Sequence, residues 1–432
     1  MSNPLHYSLT PSYASLLKKR HGRQRRFCLM GLAAIIIALG FMFFLLVGIA
    51  YKGVSALRLT YVKVDIMVDP TILFSKSVSA LEITQEEWRN ANMTALLSKS
   101  WQKQLIGNEI SNKQRALMQL LGRDAPHLLR RHLMNRPSDL GKAIHLWLPV
   151  SSDVDMVIKN IVPLVLGQTR LTAEQISWVN HLKQNNFFEV RWNPYFWQRA
   201  DSRAPEVAGI LGSFLGSLWV ILVCLPLSVP LGVATAIYLE EFARKNWITD
   251  LIEVNMNNLA AVPSIIFGLL GLSVFLGFWG IGRSSPFAAG LTLALMILPT
   301  IVINTRYALQ SVPPSIRHSA LALGATPLQV VLHHTLPLSL PGIMTGTILG
   351  IARAIGETAP LLLIGMVAFI VDIPRNIFDA ATVMPVQIFL WADSPEKGFT
   401  EKTAAAICVL LCVLILLNAI AVYIRQRFEK KW

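Results

Sequence analysis

Six long apolar runs separated by polar stretches dominate the hydropathy pattern: Phe27–Tyr51, then about Leu211–Leu239, Asn258–Phe278, Pro286–Ile303, Leu340–Ile370 and Thr403–Ile424. Runs of this kind can cross a hydrocarbon layer roughly 30 Å thick as helices. The pattern therefore predicts an α-helical polytopic membrane protein with six transmembrane helices. Pro226 and Pro230 predict a kink in the second. Between the first two runs, residues 52–206, the hydropathy drops and shorter periodicities appear. Leu59–Val68, Ile144–Leu148 and Phe187–Trp192 read as strands. Thr84 with Glu87 reads as a capping box ahead of a helix reaching about Leu105, and Thr172 with Gln175 as a second. Lys113–Leu121 and Ala125–Met134 read as two more short helices. The expected organisation is a basic, poorly ordered N-terminus at 1–26 and a first transmembrane helix at 27–51. An α+β insertion at 52–206, a five-helix core at 207–424 and a basic tail at 425–432 follow.

Composition agrees with the pattern. Of 432 residues, 53% are hydrophobic and only 15% charged, where a soluble protein carries roughly a quarter charged residues. The net charge of +14 raises nucleic acid as a partner. Its placement argues for a membrane instead. Lys18, Lys19, Arg20, Arg23, Arg25 and Arg26 precede the first apolar run, and Arg425, Arg427, Lys430 and Lys431 follow the last. By the positive-inside rule both termini are expected in the cytoplasm and the insertion outside it, since long domains translocate largely regardless of their charge. The first run exceeds the apolar core of a signal peptide, about 7–15 residues, and no small-x-small site follows it, so it reads as a retained anchor.

The chemistry-bearing motifs are few. Cys28, Cys224, Cys408 and Cys412 all lie in or beside apolar runs, which leaves no disulfide framework for the insertion and no metal-ligand spacing. There is no GxxxxGK[ST] loop, no HExxH and no GxSxG, so no catalytic residue and no bound cofactor are expected in this chain. Asp153 and Asp155 read as a solvated turn, and His333 and His334 as loop surface.

The informative stretch is Ser315–Gly365. Its first half is too polar for lipid: Pro313-Pro314 lead into an amphipathic helix, Gly324 ends it, and Thr326-Pro327 opens the next. Its second half is apolar but carries Arg353, on the order of 18 Å inside the membrane at 1.5 Å per residue. Glu357 is expected one turn further on the same helical face. Charges at such depth face protein or water, and are either an internal ion pair or part of a transport path. Gly342, Gly346, Gly350 and Ala354 form a strip without side-chain bulk, suited either to packing within the chain or to a seam with a partner.

The spacing from Gly324 through nine residues to His334-Thr335-Leu336-Pro337 resembles the cytoplasmic loop by which permeases of ATP-binding-cassette importers dock on their ATPase. His318-Ser319-Ala320 stand at that motif's Glu-Ala-Ala positions, so its acidic residue is replaced. The segments PLGVATAIYLEEFARKNW (230–247), AVPSIIFGL (261–269), ALALGA (320–325) and TGTILGIARAIGETAPLLL (345–363) are similar to the phosphate branch of this family of binding-protein-dependent inner-membrane components. The resemblance covers roughly residues 205–430. It implies the importer-permease fold of six spans and a place in the inner membrane. It also implies a heterodimer with the sister permease PstC, a PstB dimer that binds and hydrolyses ATP, and the phosphate-binding protein PstS outside. Arg353, Glu357 and Thr358 fall on the positions that it associates with transport of inorganic phosphate. Permeases for molybdate or sulfate, and a membrane sensor with an external ligand-binding domain, are the alternative expectations. The insertion exceeds the short connection of smaller family members.

Overall fold

The computed structural model describes residues 11–74, 85–105, 113–165 and 169–428. The chain divides into two compact units, Met1–Lys52 and Gly53–Trp432. In the first, the apolar run extends back through the basic residues as part of one helix, Pro11–Ala56. The expectation of a poorly ordered segment at 1–26 is therefore corrected for 11–26: the run LLKKRHGRQRR has no proline and one glycine, and it continues the helical register of the span that follows.

In the second unit the insertion is α+β, built on a three-stranded antiparallel sheet in the order β2-β1-β3. The strands are β1 (Arg58–Met67), β2 (Ala143–Pro149) and β3 (Phe188–Trp192). Alternation along β1 sends Val62, Val64 and Ile66 into the core, where they meet Leu97 and Trp101 of the helix Met93–Leu105 and Leu129 and Leu133 of Ala125–Asn135. Thr172 and Gln175 form a reciprocal capping box at the head of Ala173–Gln184. Thr84 lies outside the described residues. Asp155 departs from expectation: it is no solvated turn. It lies 7% exposed, accepts a 2.8 Å hydrogen bond from the Thr60 backbone N–H and holds the Lys159 ammonium at 2.6 Å.

Among the described residues, five helices are long and apolar enough to cross a membrane, and a bent pair makes six if it counts as one span. The central layer is Pro286–Gln310, packed between Leu211–Ile237 and Leu336–Gly356. Leu211–Ile237 runs on as one helix through Pro226 and Pro230. Two expected spans are corrected. The third is bent by 103° between Trp247–Ala261 and Ser264–Phe278, because Pro263 lacks the N–H that would continue the helix and holds Val262 extended. The fifth stops at Gly356 instead of running to Ile370, and a short helix, Ala359–Leu363, follows the break.

The insertion and the membrane core share one seam. Ala56, Phe196, Ala208, Ile210, Trp391, Phe399 and Ala405 bury together. The Trp391 indole donates to Asp201 at 2.9 Å, and burial raises the Asp201 carboxyl above the usual carboxylate range. Lys159 reaches Glu401 at 3.4 Å, with both side chains under 10% exposed.

Gly268 gives the membrane core a direct test. A Cβ there would stand 2.6 Å from the Pro360 backbone, whereas one on Gly356 meets nothing within 4 Å. Gly268→Val should destabilise the chain by about 1–3 kcal/mol, the usual cost of overpacking. Gly356→Ala should leave thermal stability in detergent unchanged or slightly raised; equal effects from the two would refute the packing.

Candidate functional site

Arg353 sits in the last turn of Leu336–Gly356, where the outward-pointing carbonyls of a helix C-terminus favour a cation. Glu357 is no longer helical: its backbone is extended, with φ −75° and ψ 133°. The reason is local. Gly356 is a weak helix former, and Pro360 restricts the backbone ahead of it. The expected continuous helical face is thus corrected, yet the pair itself forms, with Arg353 Nε 3.6 Å from Glu357 Oε1. The arginine side chain is 39% exposed and the glutamate 19%. Thr358 follows at φ −116° and opens the short helix Ala359–Leu363.

The bulk-free strip faces into the chain. A Cβ on Gly342 would come 2.5 Å from that of Ala308, and one on Gly346 would fall inside the Asn304 side chain. Gly350 lies over Ile297 and Ile301, and Ala354 joins the same buried cluster. The helix carrying Arg353 is therefore seated on Pro286–Gln310 by close backbone approach. Arg425, at the far end of the last helix, donates to Thr345 Oγ1 at 3.2 Å and holds the same element from another side.

The two broken segments meet. Ser264–Leu270, beyond the 103° bend, packs on Ala359–Leu363, with Gly268 against Pro360, and just past it Gly271 meets Thr292 of Pro286–Gln310. Irregular backbone at membrane depth persists where protein buries it or where it lines a cavity.

The polar loop forms two helical pieces hinged at Gly324, whose φ of +86° suits glycine. Pro314–Ala322 precedes the hinge, and Thr326 with Gln329 caps the piece after it. His318 and Ser319 are exposed, Ala320 is buried, and Leu323 is 89% exposed. Leu336 and Pro337 are half-buried at the start of the helix that leads to Arg353.

Six residues that the sequence reading did not single out fix this loop to the bundle. Arg317 donates to Glu241 Oε1 at 2.8 Å and to the Leu309 carbonyl at 2.8 Å. Arg306 pairs with Glu240 at 3.3 Å and with Glu253 at 3.0 Å, and Gln310 donates to Glu240 at 2.9 Å. The adjacent acids Glu240 and Glu241 close the helix after Leu211–Ile237 with a π-helical turn, so each points to a different arginine. Their only signal in the sequence is a doubled acid at the end of an apolar run.

A family model described as "binding-protein-dependent transport system inner membrane component" matches residues 228–430, and one described as a domain of unknown function (DUF3333) matches 14–165. The phosphate transport system permease protein PstA of Yersinia pestis is 33% identical over 225 residues, covering 52% of this chain and 73% of that protein. The protein of the same name from Mycobacterium leprae (strain TN) is 34% identical over 210 residues, covering 48% and 67%. Of solved structures, a chain of the inward-facing MetNI methionine ABC transporter is 18% identical and covers 50% of this chain and 95% of that one, with a TM-score of 0.42.

The Arg317–Glu241 pair is testable by charge exchange. Arg317→Glu should lower thermal stability by about 2 kcal/mol, since it leaves Glu241 and the Leu309 carbonyl without their donor. Adding Glu241→Arg should recover more than half of that loss. No recovery in the exchanged pair would show that the two charges do not act on one another.

Proposed function

This chain belongs to the family of binding-protein-dependent transport system inner membrane components, and we propose that it is the permease subunit of an ATP-driven importer of inorganic phosphate. What carries the substrate assignment is the identity, 33% over 225 residues, with a phosphate permease of the PstA type. The geometry agrees with it. Arg353 offers a planar fork of donors that suits the oxygens of a phosphate, and its nearest acid leaves the terminal nitrogens free of any salt bridge among the described residues. Glu357 orients the guanidinium and moderates its grip, so that a passing anion is held briefly and released. Thr358 adds a hydroxyl beside the break.

ATP is hydrolysed by a separate dimeric ATPase of the PstB type. It docks on the loop at about 306–337, where His318, Ser319 and Leu323 present the surface. The anchored arginines Arg306 and Arg317 pass the ATPase's closure into Pro286–Gln310 and Leu336–Gly356. In this reading a PstC-type permease forms the other half of the pathway, a PstS-type protein delivers phosphate from outside, and both termini lie in the cytoplasm. The insertion at 52–206 lies on the outer side, within reach of the delivering protein.

The test is phosphate uptake at low external phosphate in cells that lack the chain. Wild type should restore uptake. Arg353→Gln should assemble with the ATPase yet lower uptake by ~tenfold, equivalent to about 1.4 kcal/mol. Loss of the assembled complex in that variant would make the pair architectural. An unchanged uptake in cells without the chain would remove phosphate as the substrate.

A further inference from the structure

The insertion contains a cavity of about 470 Å³, remote in the chain from Arg353 and lined by four separate elements. β1 and β2 contribute Tyr61 and Trp147, the helix Ala125–Asn135 contributes Arg131 and His132, and the segment after β3 contributes Tyr195 and Arg199. A volume in the range of small-molecule sites, with convergent polar groups set between Trp147, Leu128, Leu146 and Pro194, is the mark of a ligand pocket.

The charges of this lining are unevenly matched. Arg199 is held by Asp124 at 2.7 Å and His132 by Asp139 at 3.4 Å, while Arg131 is exposed and has no salt bridge among the described residues. No carboxylate lines the cavity itself. The Tyr61 and Tyr195 hydroxyls hydrogen-bond to one another, and burial pushes Tyr61 up to about 12 and raises Tyr195 as well. Both phenols keep their protons at neutral pH; Tyr61 donates its own to the Tyr195 oxygen, which leaves the Tyr195 O–H as the donor free for a ligand. The aromatic walls are set in place from behind. Arg191, paired with Glu189 at 2.6 Å, lies 4.6 Å over the Trp147 ring and 5.8 Å from that of Tyr61; Arg199 lies 4.5 Å over Tyr195.

We propose that this cavity binds an organic phosphate, its anionic group held by Arg131 and the Tyr195 hydroxyl and its body laid against Trp147. Donors reaching in from different elements suit a tetrahedral oxyanion better than a planar carboxylate. The volume leaves room for an ester substituent that inorganic phosphate would not fill. The ester has two sources, a soluble metabolite or a phospholipid headgroup. The second is in reach because Trp192 and Trp197, 60% and 41% exposed, stand just ahead of the span that begins at Leu211, as interfacial aromatic residues do. The site rests on the insertion alone and not on the substrate of the transport path.

Calorimetric titration of the full chain in a neutral detergent tests it, with phenyl phosphate, dihexanoylphosphatidylglycerol, benzoate and inorganic phosphate as probes. At least one ester should bind, with inorganic phosphate at least tenfold weaker. Arg131→Gln should weaken the ester at least tenfold, and Trp147→Leu severalfold, without altering thermal stability in the first case. Arg131→Lys, which keeps the charge, should recover part of the loss. Tighter binding of the lipid analogue assigns the site to a headgroup, and tighter binding of phenyl phosphate to a soluble ester. The proposal fails if neither ester binds, if Arg131→Gln binds as wild type, or if benzoate binds better than both.

Discussion

A backbone carbonyl released inside an apolar bundle has no water to turn to, and the membrane half of this chain is arranged around that constraint. Two of its helices are interrupted at depth, one at Val262-Pro263 and the other after Gly356. Pro263 and Gly356 themselves stay exposed, but the segments that follow them are packed together, with Gly268 allowing the Pro360 backbone to approach. The charged pair belongs to the same solution. The end of a helix gathers partial negative charge where its last carbonyls are unsatisfied, and Arg353 stands in that last turn. Helix break, arginine and glutamate are thus three parts of one local arrangement, and each would be costly without the others.

In the proposed reading, force reaches this region through the polar loop. The polar loop is joined to the membrane helices twice, covalently through Leu336-Pro337 and laterally through Arg317 and Glu241. The pairing of Arg306 with both Glu240 and Glu253 ties three helices at the same level. A push on the loop is therefore delivered to several helices at once. The glycine strip seats the helix carrying Arg353 on Pro286–Gln310, so these two respond as one body.

Much of this was legible in the sequence. The apolar runs and the strands of the insertion follow from hydropathy and β-branched periodicity, signals that depend only on neighbours along the chain, and the family from the resemblance carried by a few contiguous segments. The misread parts depend on more. Nothing in the apolar run Leu340–Ile370 marks its end at Gly356 unless Pro360, four residues on, is weighted against the hydropathy. The bend at Pro263 was hidden in the same way. Asp155 looked like a surface turn because what buries it is distant in the chain: Thr60 lies 95 residues away on β1, and Glu401, which shares its partner Lys159, lies 242 residues from that lysine. The residues anchoring the loop were missed for the same reason: complementary charges brought together by topology leave no local pattern.

The seam between insertion and membrane core has a mechanical consequence. Lys159 lies between Asp155 of the insertion and Glu401 near the head of the last helix, and it also donates to the Ser55 carbonyl. Pulling those groups apart would strand charges away from both partner and solvent, so the joint resists hinging. The insertion is in that sense a lever rather than a bead on a tether. Anything that grips the far side of the insertion is thereby linked, through this joint, to the helix Gly398–Phe428.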